Sequence, residues 1–143
     1  MAAPLTTTIN GDAVPVTGRA GIDIARAIDC VPFRDWCSTM DPALRVLGVE
    51  VTDVDYFGPR VGFLKFKADV DFHGVRVPGI VFLRGGAVAV LVIVRCEGER
   101  FVVCCRQPRV PCGQSAFLEI PAGMLDGSGK FAGVAAKEVR ALA

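Results

Sequence analysis

One stretch of this sequence gathers residues that could do chemistry. Residues 118–123 read Leu-Glu-Ile-Pro-Ala-Gly, a glycine-rich loop follows, and helix formers over 131–142 carry Lys137 and Glu138. A glycine turn lets backbone carbonyls and amides approach a ligand closely, and a glutamate on the following helix can point back at that turn. Oxygen donors of this kind suit Mg²⁺, which takes one or two carboxylates together with substrate phosphates. Upstream, Arg106 and Arg109 stand at a predicted strand end, where guanidinium forks would bind phosphate oxygens. Physics alone gives this pattern low specificity, since one carboxylate and two arginines near a loop more often make a surface ion pair.

Other chemistries have weaker support. The single histidine, His73, lies in a predicted turn, so any histidine base would have to be that residue, held by a partner. The sequence has no Walker A loop and no G-x-G-x-x-G element after a strand. Six cysteines, at 30, 37, 96, 104, 105 and 112, include no C-x-x-C pair, which argues against a zinc ribbon or a thioredoxin-type couple. The first ten residues lack a basic start followed by a long apolar run. The cysteines are therefore expected to be reduced, mostly buried, and part of a cytoplasmic protein.

The elements that must position the glycine loop follow from periodicity. Residues 1–20, with Pro4, Gly11, Pro15 and Gly18, read as an irregular lead-in. Residues 21–29 and 32–40 show helical spacing, with Ile24 and Ile28 on one face and Phe33, Trp36 and Cys37 on another. From Leu47 the pattern turns to strands: a run to Val54, an alternating run over 61–70, and a third over 75–83 interrupted by Pro78-Gly79. Tight turns between them predict a small antiparallel sheet. Beyond Arg84-Gly85-Gly86, strands are expected over 87–95, 101–106 and 117–120, and a helix over 131–142. The apolar run 87–94, AVAVLVIV, predicts a buried strand; at eight residues it is far short of the roughly 20 that a membrane helix needs.

Composition bounds the partners. The 143 residues are 52% hydrophobic and 22% charged, with a formal charge of +1. That length suits a single domain. The balance argues against nucleic-acid binding, which needs a concentrated basic face, and against a disordered acidic chain.

The segments RVPGIVFLRGGAVAVLVIV, CRQPRVPCG and FLEIPAGMLDGSGKFAGVAAKEV together resemble the ADP-sugar diphosphatase branch of the Nudix hydrolases. The upstream segments GIDIARAIDCVPFRDW and DYFGPRVGFLKFKADV resemble the amino-terminal region of its plant-type members. The resemblance implies an α+β chain: a small antiparallel domain used in dimerisation, over 21–84, then the first portion of a Nudix α/β/α sandwich around a mixed sheet, over 85–143. It implies Mg²⁺- or Mn²⁺-dependent cleavage of a nucleoside diphosphate sugar, ADP-ribose or ADP-glucose, to AMP and a sugar phosphate, by a homodimer; the charge balance and the short apolar run already argue against nucleic-acid and membrane partners.

Residue by residue the resemblance is uneven. The family's box reads G-x5-E-x7-R-E-U-x-E-E-x-G-U, with U a bulky aliphatic. Gly123 matches its first glycine, and Ala122 the residue whose backbone carbonyl binds metal in this branch. Lys137, Glu138 and Val139 match R-E-U, making Glu138 a metal ligand and the catalytic carboxylate. Arg109 matches the arginine that contacts substrate phosphate or ribose. The resemblance offers Trp36 for stacking on adenine, whereas its place on the helix face favours a core role. Arg84 keeps two readings, lining the site or closing the turn between domains. The early box glutamate is replaced by Gly129 or Lys130, and the later acidic positions fall on Ala141 and Leu142. The resemblance thus implies a chain truncated within the box, and an inert Nudix-fold binding or dimerisation module is the alternative to an enzyme. Without the resemblance, a small α+β domain in which the glycine loop and Glu138 are structural also accounts for the pattern.

Overall fold

A computed structural model describes residues 5–125. The chain divides into two compact units between Gly85 and Gly86. The helix expected over 131–142 and most of the loop before it lie outside the described residues.

The first unit begins with a hairpin where the sequence suggested an irregular lead-in. Strand β1 (Leu5–Ile9) pairs antiparallel with β2 (Asp12–Gly18) across Asn10-Gly11. Both turn residues have positive φ, 53° and 89°, as a two-residue type I′ turn requires, and Asn-Gly is the pair that adopts it most readily. Helices α1 (Ile24–Ile28) and α2 (Val31–Ser38) follow. The Asp23 carboxylate caps α1 by accepting from the Arg26 amide at 3.1 Å. These helices form the crossover that lets β2 lie parallel to β3 (Leu44–Phe57).

Strand β4 (Arg60–Phe72) returns antiparallel to β3. Two short strands, β5 (Val75–Val77) and β6 (Ile80–Leu83), then pair successively along β4. The break between them is local chemistry. Pro78 has no N–H for the ladder, and Gly79 lies so close to β4 that a Cβ would fall 2.0 Å from the Ala68 carbonyl oxygen. The result is a six-stranded mixed sheet in place of the expected small antiparallel one, because the β1–β2 hairpin adds itself through a parallel contact.

Alternation along β4 puts Leu64, Phe66, Ala68 and Val70 inside and Lys65, Lys67 and Asp69 outside. The buried set packs with Val14, Val16, Val49, Val51, Phe33 and Ala27. Phe33 and Trp36 of α2 meet Phe66 edge-on, with ring centroids 5.5 and 4.8 Å apart.

The described part of the second unit is three separate two-stranded ladders. Strand β7 (Ala87–Ala89) pairs with β12 (Ala122–Met124), β8 (Ile93–Cys96) with β9 (Glu99–Val102), and β10 (Cys105–Arg109) with β11 (Gln114–Glu119). The apolar run 87–94 is therefore neither one strand nor buried. It breaks between β7 and β8, and Leu91, Ile93 and Val94 are exposed, since a strand paired on one edge alone covers neither face. The cysteines also depart from expectation: all six are free, but only Cys37 is buried, while Cys96, Cys104 and Cys112 are exposed. Among the described residues no helix is long and apolar enough to cross a membrane.

Candidate functional site

Among the described residues of the second unit, the β10–β11 hairpin assembles the most organised polar cluster. Alternation gives the pair one less exposed face, with Cys105, Gln107, Phe117 and Glu119, while Arg106, Pro108 and Leu118 face out. Cys105 stands opposite Glu119 and Gln107 opposite Phe117; the register then shifts, so that Arg109 stands opposite Gln114. Pro108 gives the ladder no amide there, and prolines inside sheets are found at edges and bulges. A turn of 3₁₀ helix, Val110–Cys112, closes the hairpin at Gly113, whose φ is 63°.

Arg109 lies side-on against Glu119. Its Nε donates to both carboxylate oxygens, at 2.9 and 3.1 Å, and its Nη2 donates to Oε1. Gln107 Nε2 donates to the same Oε1. The Cys105 thiol reaches the Glu119 main-chain carbonyl at 3.5 Å. The hydrogen bond from Arg109 chiefly holds the Glu119 carboxyl below its ordinary range; partial desolvation opposes this, and Gln107 adds to the lowering. The hydrogen bond to Glu119 likewise pushes the Arg109 guanidinium further up, so both partners are charged at neutral pH. Of the five N–H groups an arginine carries, two are turned to Glu119. Both on Nη1 and one on Nη2 have no acceptor among the described residues.

Three residues beyond Glu119 the chain reaches Ala122, a separation of at most about 11 Å. In the β7–β12 ladder, Val90 donates to the Pro121 carbonyl at 2.8 Å and Leu125 to the Gly86 carbonyl at 2.9 Å. This pattern makes Ala122 and Ala89 a non-hydrogen-bonded pair, with Gly123 and Val88 the bonded one. The Ala122 carbonyl consequently points away from β7. Among the described residues no ladder occupies that side, and an oxygen so placed is of the kind a hard cation takes. No group of three His, Cys, Asp or Glu side chains suited to a metal ion occurs among the described residues.

Arg109, Ala122 and Gly123 thus fall within one unit, on short strands of two separate ladders. Trp36 and Arg84 belong to the other. Trp36 packs against Phe33 and Phe66, and Arg84 is exposed just beyond β6. Glu138 lies outside the described residues, as do Asp126, Lys137 and Val139. An open depression of about 400 Å³ occurs on the first unit, lined by Pro15, Thr17, Gly48, Glu50, Lys67 and Asp69 among others, none of them a candidate site residue from the sequence. Gln107 was not legible as part of the cluster. The available signal was parity, because Gln107 and Arg109 share a strand face, but parity alone does not carry the long side chains to Glu119.

The sequence is 44% identical, over 142 residues, to a protein of Arabidopsis thaliana named Nudix hydrolase 14, chloroplastic. The similarity covers 90% of this chain and 46% of the relative, so the chain spans about half the length of the curated protein it matches. No protein-family model matches the chain. No solved structure matches it.

Proposed function

We propose that this chain, a homologue of a Nudix hydrolase, serves a hydrolase of the ADP-sugar diphosphatase branch that cleaves ADP-ribose or ADP-glucose to AMP and a sugar phosphate. The observation that carries the Nudix part of this reading is the 44% identity across 90% of the chain; the ADP-sugar branch rests on the resemblance of the LEIPAGMLD and RVP segments. Two features of the second unit support it. Arg109 keeps three N–H groups directed away from Glu119, a suitable donor set for diphosphate oxygens. The Ala122 carbonyl faces away from its ladder, and with Glu138 it would hold Mg²⁺ or Mn²⁺. Such an ion, when bound, offsets diphosphate charge and lowers the pKa of water. In this reading Glu138 is the catalytic carboxylate and Gly123 allows the backbone to approach the substrate; Trp36 and Arg84 remain substrate-binding candidates from the sequence alone.

The partner is a nucleoside diphosphate sugar, with neither nucleic acid nor membrane involved, and the assembly is a homodimer. An aromatic row on the first unit supports dimerisation: the Phe57 and Phe63 rings lie 4.9 Å apart, those of Phe63 and Phe82 5.5 Å apart, and Phe82 is 55% exposed. Free cysteines fit a reducing compartment, and we place the chain in the cytoplasm, whereas the relative's name is chloroplastic.

A second reading has a specific observation in its favour. Ala141 and Leu142 stand where the family's box carries acids, which suits a catalytically inert binding or dimerisation module. Incubation with ADP-ribose or ADP-glucose and Mg²⁺, with AMP measured, separates the two. Turnover that Glu138→Gln abolishes establishes the enzyme; nucleotide-sugar binding without AMP release establishes the inert module.

A further inference from the structure

The two other ion pairs among the described residues give a scale for Arg109. Arg34 and Asp29 meet at 3.0 Å with side chains 59% and 80% exposed, and Arg76 and Asp69 are 58% and 57% exposed. Each joins one nitrogen to one oxygen. At Arg109 the carboxylate partner is only 19% exposed, and three donors from two residues converge on its Oε1. Side-on engagement through Nε and Nη2 fixes the guanidinium plane and leaves Nη1 turned away from Glu119. A solvated surface pair needs none of this.

We propose that Glu119 and Gln107 are positioning residues that hold the Arg109 guanidinium as a preset fork for a diphosphate anion. This rests on the reading of Arg109 as the substrate arginine, and it assigns Glu119 and Gln107 a role that the likeness to the Nudix hydrolases did not. A planar fork held in place loses less freedom when it takes a bidentate oxyanion than a swinging side chain does. Two effects of Glu119 oppose one another. Its negative charge repels an incoming anion, while its hydrogen bonds orient the donor that must bind it. Arg109 is 39% exposed, so water and salt screen the repulsion, whereas the orientation is lost entirely when the carboxylate is removed. Orientation therefore wins, and the sign of the effect is diagnostic: truncating Glu119 raises local positive charge yet weakens anion binding.

The test is an NMR titration of the 143-residue chain with inorganic pyrophosphate and, separately, with ADP-ribose, following the Arg109 Nε–H cross-peak. The wild-type cross-peak is slowly exchanging before ligand is added and moves with pyrophosphate. Glu119→Ala broadens it and weakens pyrophosphate binding about ten-fold, a loss of about 1.4 kcal/mol. Glu119→Gln, which keeps an accepting oxygen, recovers part of that loss, and Gln107→Ala gives a smaller loss. Unchanged or tighter pyrophosphate binding by Glu119→Ala overturns the proposal, as does a wild-type Arg109 cross-peak that pyrophosphate does not move. Should Glu119→Ala lose the β10–β11 amide pattern, Gln107→Ala decides, and wild-type affinity in it overturns the proposal. Response to pyrophosphate without response to ADP-ribose upholds the fork and defeats the nucleotide-sugar reading instead.

Discussion

Phe66 and Phe101 both sit on antiparallel strands, yet Phe66 is wholly buried and Phe101 is 55% exposed. The contrast extends to their two units. In the first, six strands share one sheet and two helices cover one of its faces, so alternate residues of β2, β3 and β4 leave water together. In the second, the described strands pair two by two, and Leu91, Ile93, Val94, Phe101, Val102 and Leu118 remain exposed. Sequence hydrophobicity hardly distinguishes the two regions. Among the described residues, what separates them is whether a third strand or a helix covers the face, since an isolated two-stranded ladder is marginal in water. Packing holds the first unit, while directed polar contacts such as Arg109–Glu119 organise the hairpin of the second.

The sharpest way to break this comparison is to truncate one phenylalanine in each unit. Phe66→Ala is expected to destabilise the first unit by about 3–5 kcal/mol, as removal of a buried aromatic does. Urea unfolding followed through Trp36 fluorescence reads it directly, because that ring packs on Phe66. Phe101→Ala should cost within about 0.5 kcal/mol. Equal costs would mean that Phe101 is covered in solution, and the contrast would fall.

A smaller loss is expected at Gly79→Ala. The added methyl would meet the Ala68 carbonyl, a backbone atom that cannot swing aside, so β6 must shift from β4 at about 1–3 kcal/mol. A thermal midpoint within error of wild type would show that β6 is not held against β4.

The smallest effect belongs to acid and the second unit. Glu119 is held below its ordinary range, chiefly by the hydrogen bond from Arg109. Its contribution is therefore complete above the unfolded-state value and is lost as pH falls through the lowered folded one. Both side chains are partly exposed, so the contribution is modest. Amide exchange at Gln107 and Leu118 should accelerate below the usual carboxylate range, while Leu64 and Phe66, among apolar neighbours, keep their protection. Faster exchange at Phe66 over the same interval would remove the distinction.

Much of the first unit was legible because its signals are local. The alternating run over 61–70 needed only period two, and Pro78-Gly79 marked a break that Gly79's close approach to Ala68 explains. Phe33 and Cys37, four apart, gave the buried face of α2. The β1–β2 hairpin was equally local, in Asn10-Gly11, yet prolines and threonines around it gave the appearance of a lead-in. The apolar run 87–94 misled for the opposite reason: its residues fit a buried strand, but burial depends on neighbours that composition does not name. At the candidate site, Arg109, Ala122 and Gly123 could be singled out, whereas the partnership of Arg109 with Glu119 and Gln107 could not.

The sequence by itself determined the turns and the strand faces. Positive φ at Asn10, His73 and Glu97, each followed by a glycine of the same sign, follows from two adjacent residues, and alternation follows from backbone geometry. Only the tertiary structure decided that β2 lies parallel to β3 across two helices, that β7 meets β12, and that Glu119 reaches Arg109 past a shifted register. Turns and alternation arise between neighbours in the chain. The pairings join residues far apart in it, and their positions are chosen by which apolar faces and polar atoms can be satisfied together.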